Sequence, residues 1–252
     1  MLKNPDMMKK LTNVKGVIFD YGGTLDTNGR HWSEVLWDAY VRVGVPVEKN
    51  SFRDAYVHGE RTLALNPLIQ PHHTFYDVLH IKVGIELDYL VRQAQLPADA
   101  PCAEWAETIA RECYEGVKNL LQSVRKVVEM LYMKHKLVLV SNFYGNIATV
   151  LNDFGLLRYF EDIVESSVVG VRKPDPRIYA LGVEAMGYRP EEIVVVGDSF
   201  SKDMVPARQV GCQTVWLRGQ GWGNEKVDET LPDVVIDDIA QLAYVFGLEA
   251  EA

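Results

Sequence analysis

The stretch Val14-Lys15-Gly16-Val17-Ile18-Phe19-Asp20-Tyr21-Gly22-Gly23-Thr24-Leu25-Asp26 leaves few architectures open. Its β-branched Val14, Val17 and Ile18, with Phe19, make an apolar run short enough to be a strand buried on both faces. The run stops on Asp20, and Gly22 and Gly23 follow at once. A strand ending this way brings a charged oxygen to the carboxyl edge of a sheet, where open α/β sheets bind ligands. The glycines let the backbone come close to a bound group or take positive φ. A solvated aspartate before a hairpin turn is the plainer alternative, and the rest of the chain decides between the two.

After Thr27-Asn28-Gly29-Arg30 the periodicity turns helical. Trp32, Val35, Leu36, Ala39, Tyr40 and Val43 recur at steps of three and four, and Gly44 and Pro46 end that helix. Further helices are predicted over 48–65, 74–94 and 103–120, punctuated by Asn66-Pro67, Pro97 and Pro101. Val124, Val127, Val128 and Leu131 form another helical stripe, and Leu137-Val138-Leu139-Val140 reads as a buried strand. From there helices and strands alternate: a helix near 146–154, a strand at 162–165, a helix after Pro176 and a strand at 193–196. A helix around 203–210, strands at 213–217 and 234–236, and a terminal helix from Ile239 complete the series. This alternation predicts an α/β fold, a parallel sheet with helices on both faces. The core is predicted to be discontinuous, Rossmann-like and built from 1–26 and 121–252, with an inserted α-helical module at 27–120.

Composition narrows the partners. With 252 residues, 48% of them hydrophobic and 24% charged, the chain can bury a sizeable core, as one large domain or a core with an insert. A formal net charge of −9 argues against a nucleic-acid partner. It does not argue against an anionic ligand, because backbone N–H groups and a few lysines bind phosphate even in an acidic protein. Cys102, Cys113 and Cys212 form no CxxC pair and are odd in number, which reads as reduced thiols in a cytoplasmic protein. No run of 18 apolar residues predicts a membrane span, and no apolar stretch follows Lys3, Lys9 and Lys10 as in a signal peptide.

Two further strands end in polar groups, and a loop between them carries a third. Leu137–Val140 runs into Ser141-Asn142, a hydroxyl and an amide able to bind an oxyanion without adding charge, or simply the start of a loop. Ile193–Val196 runs into Gly197-Asp198-Ser199-Phe200-Ser201-Lys202-Asp203. Asp198 and Asp203 beside Asp20 make an oxygen-rich pocket suited to Mg²⁺; alternatively Asp203 is a helix N-cap. Between these lies Gly170-Val171-Arg172-Lys173-Pro174-Asp175-Pro176, whose prolines stiffen the loop and hold Lys173 in place. A fixed ammonium can neutralise a nucleophilic carboxylate and a phosphate oxygen together.

In order, spacing and strand context these features resemble the haloacid-dehalogenase superfamily, in the subgroup with a helical cap inserted after the first strand. Asp20 with Gly23-Thr24 is similar to its first motif and Ser141 to its second. Lys173 in Arg-Lys-Pro-Asp-Pro is similar to its third, and Gly-Asp-Ser with Asp203 to its fourth. The resemblance covers nearly the whole chain. It implies a hydrolase acting on a small phosphorylated metabolite, with Asp20 forming an aspartyl-phosphate. Mg²⁺ would be held by Asp20, the Gly22 carbonyl and Asp198, with Asp203 beside them. Thr24, Ser141, Asn142 and Lys173 would hold the phosphoryl group. Charge spread over phosphoryl oxygens is then met by a cation, a lysine and neutral donors while a carboxylate attacks in line.

One departure matters. Phosphatases of this superfamily carry a second Asp two residues after the nucleophile as general acid and base; here that position is Gly22. General acid–base catalysis is commonly worth ~10²–10⁴-fold, so poor leaving groups are expected to turn over slowly. The alternatives are a phosphate- and metal-binding protein that is weak or silent as a catalyst, and a C–P or C–halogen hydrolase. Phosphonoacetaldehyde hydrolases resemble the chain in a small residue at this position and use a cap lysine as a Schiff base, for which Lys49 or Lys82 could be proposed. Haloacid dehalogenases carry Tyr there and need no Mg²⁺, and the Asp198/Asp203 pair argues against that chemistry. Asp26 is expected to cap the exit loop and His72-His73 to lie in a solvated loop. Trp222, in the Gly219–Asn224 loop, could line the site or merely pack.

Overall fold

A computed structural model describes residues 11–219 and 227–248. Trp222 and the lysines at 3, 9 and 10 lie outside them. Among the described residues six strands, β1 (Gly16–Phe19), β2 (Lys136–Ser141), β3 (Asp162–Glu165), β4 (Ile193–Gly197), β5 (Gln213–Leu217) and β6 (Val234–Ile236), form one parallel sheet. Their order is β3-β2-β1-β4-β5-β6, so β1 lies between β2 and β4. That order is the doubly wound one, and its topological switch point falls between β1 and β4.

The strands read as continuous apolar runs because both faces are covered. Val17, Phe19, Leu137, Leu139, Val194, Val196, Val215 and Leu217 belong to one core layer. Ile18, Val138, Val140, Ile193, Val195 and Trp216 belong to the other, as a period of two requires. Helices α1 (Trp32–Val43), α2 (Lys49–Leu65), α3 (Phe75–Arg92) and α4 (Cys102–Tyr132) all lie in the chain between β1 and β2. The short α5 (Ile147–Asp153) and α6 (Ser166–Val169) follow β2 and β3, α7 (Arg177–Met186) precedes β4, and α8 (Val205–Val210) and α9 (Leu242–Val245) follow β4 and β6.

The predicted helix starts and stops hold where capping chemistry is local. Gly44 closes α1 at φ 81°. Thr74 and Asp77 form a reciprocal capping box at the start of α3. Two expectations need correction. The helix predicted over 103–120 continues to Tyr132, because the buried stripe runs on through Val117, Leu121, Val124, Val128 and Leu131 with no Gly or Pro to break it. The helix predicted from Asp203 begins instead with a wide π-type turn, Phe200–Met204, before α8. No helix among the described residues is long and apolar enough to cross a membrane.

Candidate functional site

Register brings the strand ends together. Phe19 pairs with Leu139 on one side and Val196 on the other, and the Asp20 N–H donates to the Val196 carbonyl at 3.0 Å. Asp20, Ser141 and Asp198 therefore emerge at one edge, at the switch point.

Lys173 organises the charges there. Its Nζ donates to Asp20 Oδ1 at 2.6 Å and to Asp203 Oδ1 at 2.7 Å, and the residue is 4% exposed. Its loop is pinned by Asn142, whose side chain accepts from the Lys173 N–H at 2.9 Å and donates to its carbonyl at 3.1 Å. The predicted oxyanion amide is thus engaged in positioning the lysine. Thr24 Oγ1 donates to Asp20 Oδ2 at 3.0 Å and accepts from the Asp198 N–H at 3.0 Å, tying the β1 and β4 edges. Asp203 accepts from Lys173, from the Tyr179 hydroxyl at 2.7 Å and from the Ser199 N–H at 2.9 Å. Tyr179, on α7, is a buried partner that sequence reasoning missed; only its helical spacing in an apolar stripe was visible.

Asp20, Asp198 and Asp203 each offer an oxygen within 4.8 Å of the others. Three carboxylates face one ammonium, and the electrostatics record the imbalance. Burial, with Asp20 and Asp203 adding to it, pushes Asp198 well above the usual carboxylate range. Asp20 is also raised by burial, with Lys173 opposing. Burial works against the Lys173 charge, but Asp20 and Asp203 outweigh it and hold its pKa up. A hard divalent cation among oxygen donors relieves such a cluster, so the residues present fit Mg²⁺.

The two glycines differ. Gly23 has φ +94°, and a Cβ there would come 2.5 Å from Asp198 Oδ2, so close approach of the loop to Asp198 requires glycine. A Cβ on Gly22 would meet nothing within 4 Å, and Gly22 opens onto the cavity. Asp26 caps the loop, accepting from the Gly23 N–H at 2.7 Å and from Trp32 Nε1 at 2.8 Å; burial pushes its pKa up to about 7 against both bonds.

A cavity of about 1250 Å³ opens above these groups, lined by Asp20, Ser141, Lys173 and Asp198 from the strand ends. Its other wall comes from the β1–β2 insertion and includes His31, Tyr56, Glu60 and Lys82. Lys49 is half-exposed and pairs with Glu34 at 2.6 Å, away from this wall. His72 is exposed, as expected of a loop residue.

This chain belongs to the haloacid dehalogenase-like hydrolases, whose family pattern it matches over residues 14–211. It is similar to the glyceraldehyde 3-phosphate phosphatase of Pyrococcus furiosus, 33% identical over 92 residues, 36% of this chain and 38% of that protein. It is likewise similar to the phosphoserine phosphatase of Thermus thermophilus, 36% identical over 88 residues, 35% of this chain and 34% of that protein. The chain spans little over a third of the length of these curated relatives. In fold it resembles YfnB from Bacillus subtilis bound to magnesium, with a TM-score of 0.57, 15% identity and coverage of 92% of this chain and 98% of that one.

Proposed function

We propose that the protein is a Mg²⁺-dependent phosphatase that cleaves a small phosphorylated metabolite through an aspartyl-phosphate on Asp20. The observation that carries this reading is a buried carboxylate at the switch point, held by Lys173 and Thr24 beside two more carboxylates. Asp20 attacks phosphorus, the ester P–O bond breaks, and the leaving oxygen takes a proton from solvent, since Gly22 supplies none. Water then cleaves the acyl-phosphate and regenerates Asp20. Lys173 and Ser141 hold the phosphoryl oxygens, Thr24 orients Asp20 and ties it to the Asp198 backbone, and Asn142 fixes the Lys173 loop. Asp20, Asp198 and the Gly22 carbonyl would hold Mg²⁺, which offsets the charge of the phosphoryl oxygens. Asp203, with both oxygens engaged, adds its charge from behind.

In this reading residues 27–120 are a helical cap on a core of 1–26 and 121–252, with α4 crossing that boundary unbroken. A cytoplasmic setting accords with three free thiols. Lys82 is poorly suited to Schiff-base chemistry, because Glu60 keeps it protonated.

Release of p-nitrophenol from p-nitrophenyl phosphate tests the reading. Turnover should require Mg²⁺ and vanish in Asp20→Asn. No turnover by the wild-type protein on this good leaving group points to a silent binder or to a hydrolase of a C–P or C–halogen bond, and turnover surviving in Asp20→Asn removes the nucleophile assignment.

A further inference from the structure

The wall of the cavity opposite Asp20 carries a second ion pair that the proposed chemistry does not use. Lys82, on α3, pairs with Glu60, on α2, and its Nζ lies 4.1 Å from the centre of the Tyr56 ring. The Lys82 side chain is 6% exposed, whereas that of Glu60 is 42% exposed. The half of the pair that a ligand can reach is therefore the carboxylate. Burial opposes the charge on both, but each holds the other ionised: the Glu60 pKa is lowered and the Lys82 pKa raised.

Tyr56 links this wall to the strand ends, since the charges of Asp26 and Asp198 as well as those of Glu60 and Glu86 bear on its hydroxyl. Leu63, Val78 and Leu79 complete the neighbouring wall with apolar surface. His31 is held neutral there, its pKa pushed down to about 4 by burial and by the charges of Lys82 and Lys202. Lys202 stands on the core side of the cavity and is exposed, so solvent screens its charge.

We propose that Glu60, oriented by Lys82, reads the end of the substrate remote from phosphate and selects a hydroxylated tail over one ending in a carboxylate. This rests on the phosphomonoesterase reading of the Asp20 site. A hydroxyl donates to the exposed Glu60 oxygen and leaves the ion pair intact. A carboxylate tail seated at this wall must either lie against Glu60, like charge on like, or take Lys82 from it and strand a carboxylate in a half-buried wall; Arg172, Lys202 and Arg218 line the cavity elsewhere.

Calorimetric binding of glycerol 3-phosphate and phosphoglycolate to the Asp20→Asn protein with Mg²⁺ tests this without turnover. Glycerol 3-phosphate should bind about tenfold more tightly, and Glu60→Gln in the same background should bring the ratio close to one. A ratio at or below one before Glu60 is touched, or no binding of either compound, overturns the proposal whether or not Glu60→Gln folds. Wild-type kcat/KM on the same pair, run beside p-nitrophenyl phosphate, separates the two claims. Turnover of p-nitrophenyl phosphate with no preference between tails sinks the Glu60 assignment alone. Selective binding without any turnover sinks the phosphatase reading alone.

Discussion

The two walls of the cavity solve opposite charge problems. At the strand ends Lys173 faces Asp20, Asp198 and Asp203, three carboxylates against one ammonium. On the inserted helices Lys82 faces one ionised partner, Glu60, and a second carboxyl, Glu86, whose pKa burial pushes up to about 7. The first cluster is short of positive charge and is built to take more. The second is balanced and persists without any added ion. Buried charge is costly unless it is paired, so the deficit at the strand ends is the sharper indication of a ligand.

Removing the cation from the deficient cluster should have the largest effect. Lys173→Met leaves Asp20 and Asp203 facing each other in a buried site. Breaking a buried pair in this way costs about 3–5 kcal/mol, so the thermal midpoint should fall steeply and turnover should be lost. Lys82→Met should cost less, because Glu60 is half-exposed and can be hydrated. Equal losses of midpoint in the two variants would erase the contrast between the walls.

Adding a carboxylate at Gly22 comes next. The position has open space for a side chain, and an Asp there would restore a proton donor beside Asp20. Gly22→Asp is expected to raise kcat on alkyl phosphates by about 10²-fold or more. The gain should be smaller on p-nitrophenyl phosphate, whose leaving group needs little protonation, and should require Mg²⁺, since one more negative charge joins the deficient cluster. Parallel measurement of both substrates decides it: no gain on the alkyl ester means that proton supply is not what limits the wild-type protein.

Much of the deficient wall was legible in the sequence, and little of the balanced one was. Asp20, Asp198 and Lys173 each follow a strand or sit in a proline-stiffened loop, and parallel strand ends must converge at one edge, so local pattern implied a shared site. The role of Asn142 in pinning Lys173 was not legible, because an amide that binds a backbone looks the same in sequence as one that binds a ligand. Tyr179 and the Glu60–Lys82 pair were hidden for a related reason. Each lies on a helix in an ordinary amphipathic pattern, and which helices face one another is set by packing over long separations. The continuation of α4 to Tyr132 could have been read, since the spacing from Val117 through Leu121 to Val124 never breaks.

Metal binding should separate the walls by a smaller amount. Mg²⁺ that binds the folded protein alone stabilises it by RT ln(1 + [L]/Kd), about 2.7 kcal/mol at a hundred times Kd. The wild-type thermal midpoint should therefore rise with Mg²⁺, and Asp198→Asn should abolish most of that rise while Glu60→Gln keeps it. A Mg²⁺ response unaffected by Asp198→Asn would put the ion somewhere other than the strand ends.

Glu86 supplies the finest test, because it asks whether the balanced wall is balanced at every pH. The residue is fully buried; Tyr40 donates to its Oε2 at 3.0 Å, and its Oε1 has no hydrogen-bond partner among the described residues. Burial raises its pKa from the ordinary 4.5 to about 7, with Lys82 opposing. A carboxyl with a raised folded-state pKa contributes stability that is fully present below its unfolded pKa and is lost as pH climbs through the folded value. Wild-type stability should therefore decline between about pH 5 and pH 8, with Glu86 accounting for at most about 3 kcal/mol of the change. Glu86→Gln keeps the shape and removes the ionisation. Its melting temperature should match wild type near pH 5 and exceed it by a few degrees near pH 8. A variant that is less stable than wild type at the higher pH would mean that ionised Glu86 is needed by Lys82, and that the wall holds two carboxylates against one ammonium after all.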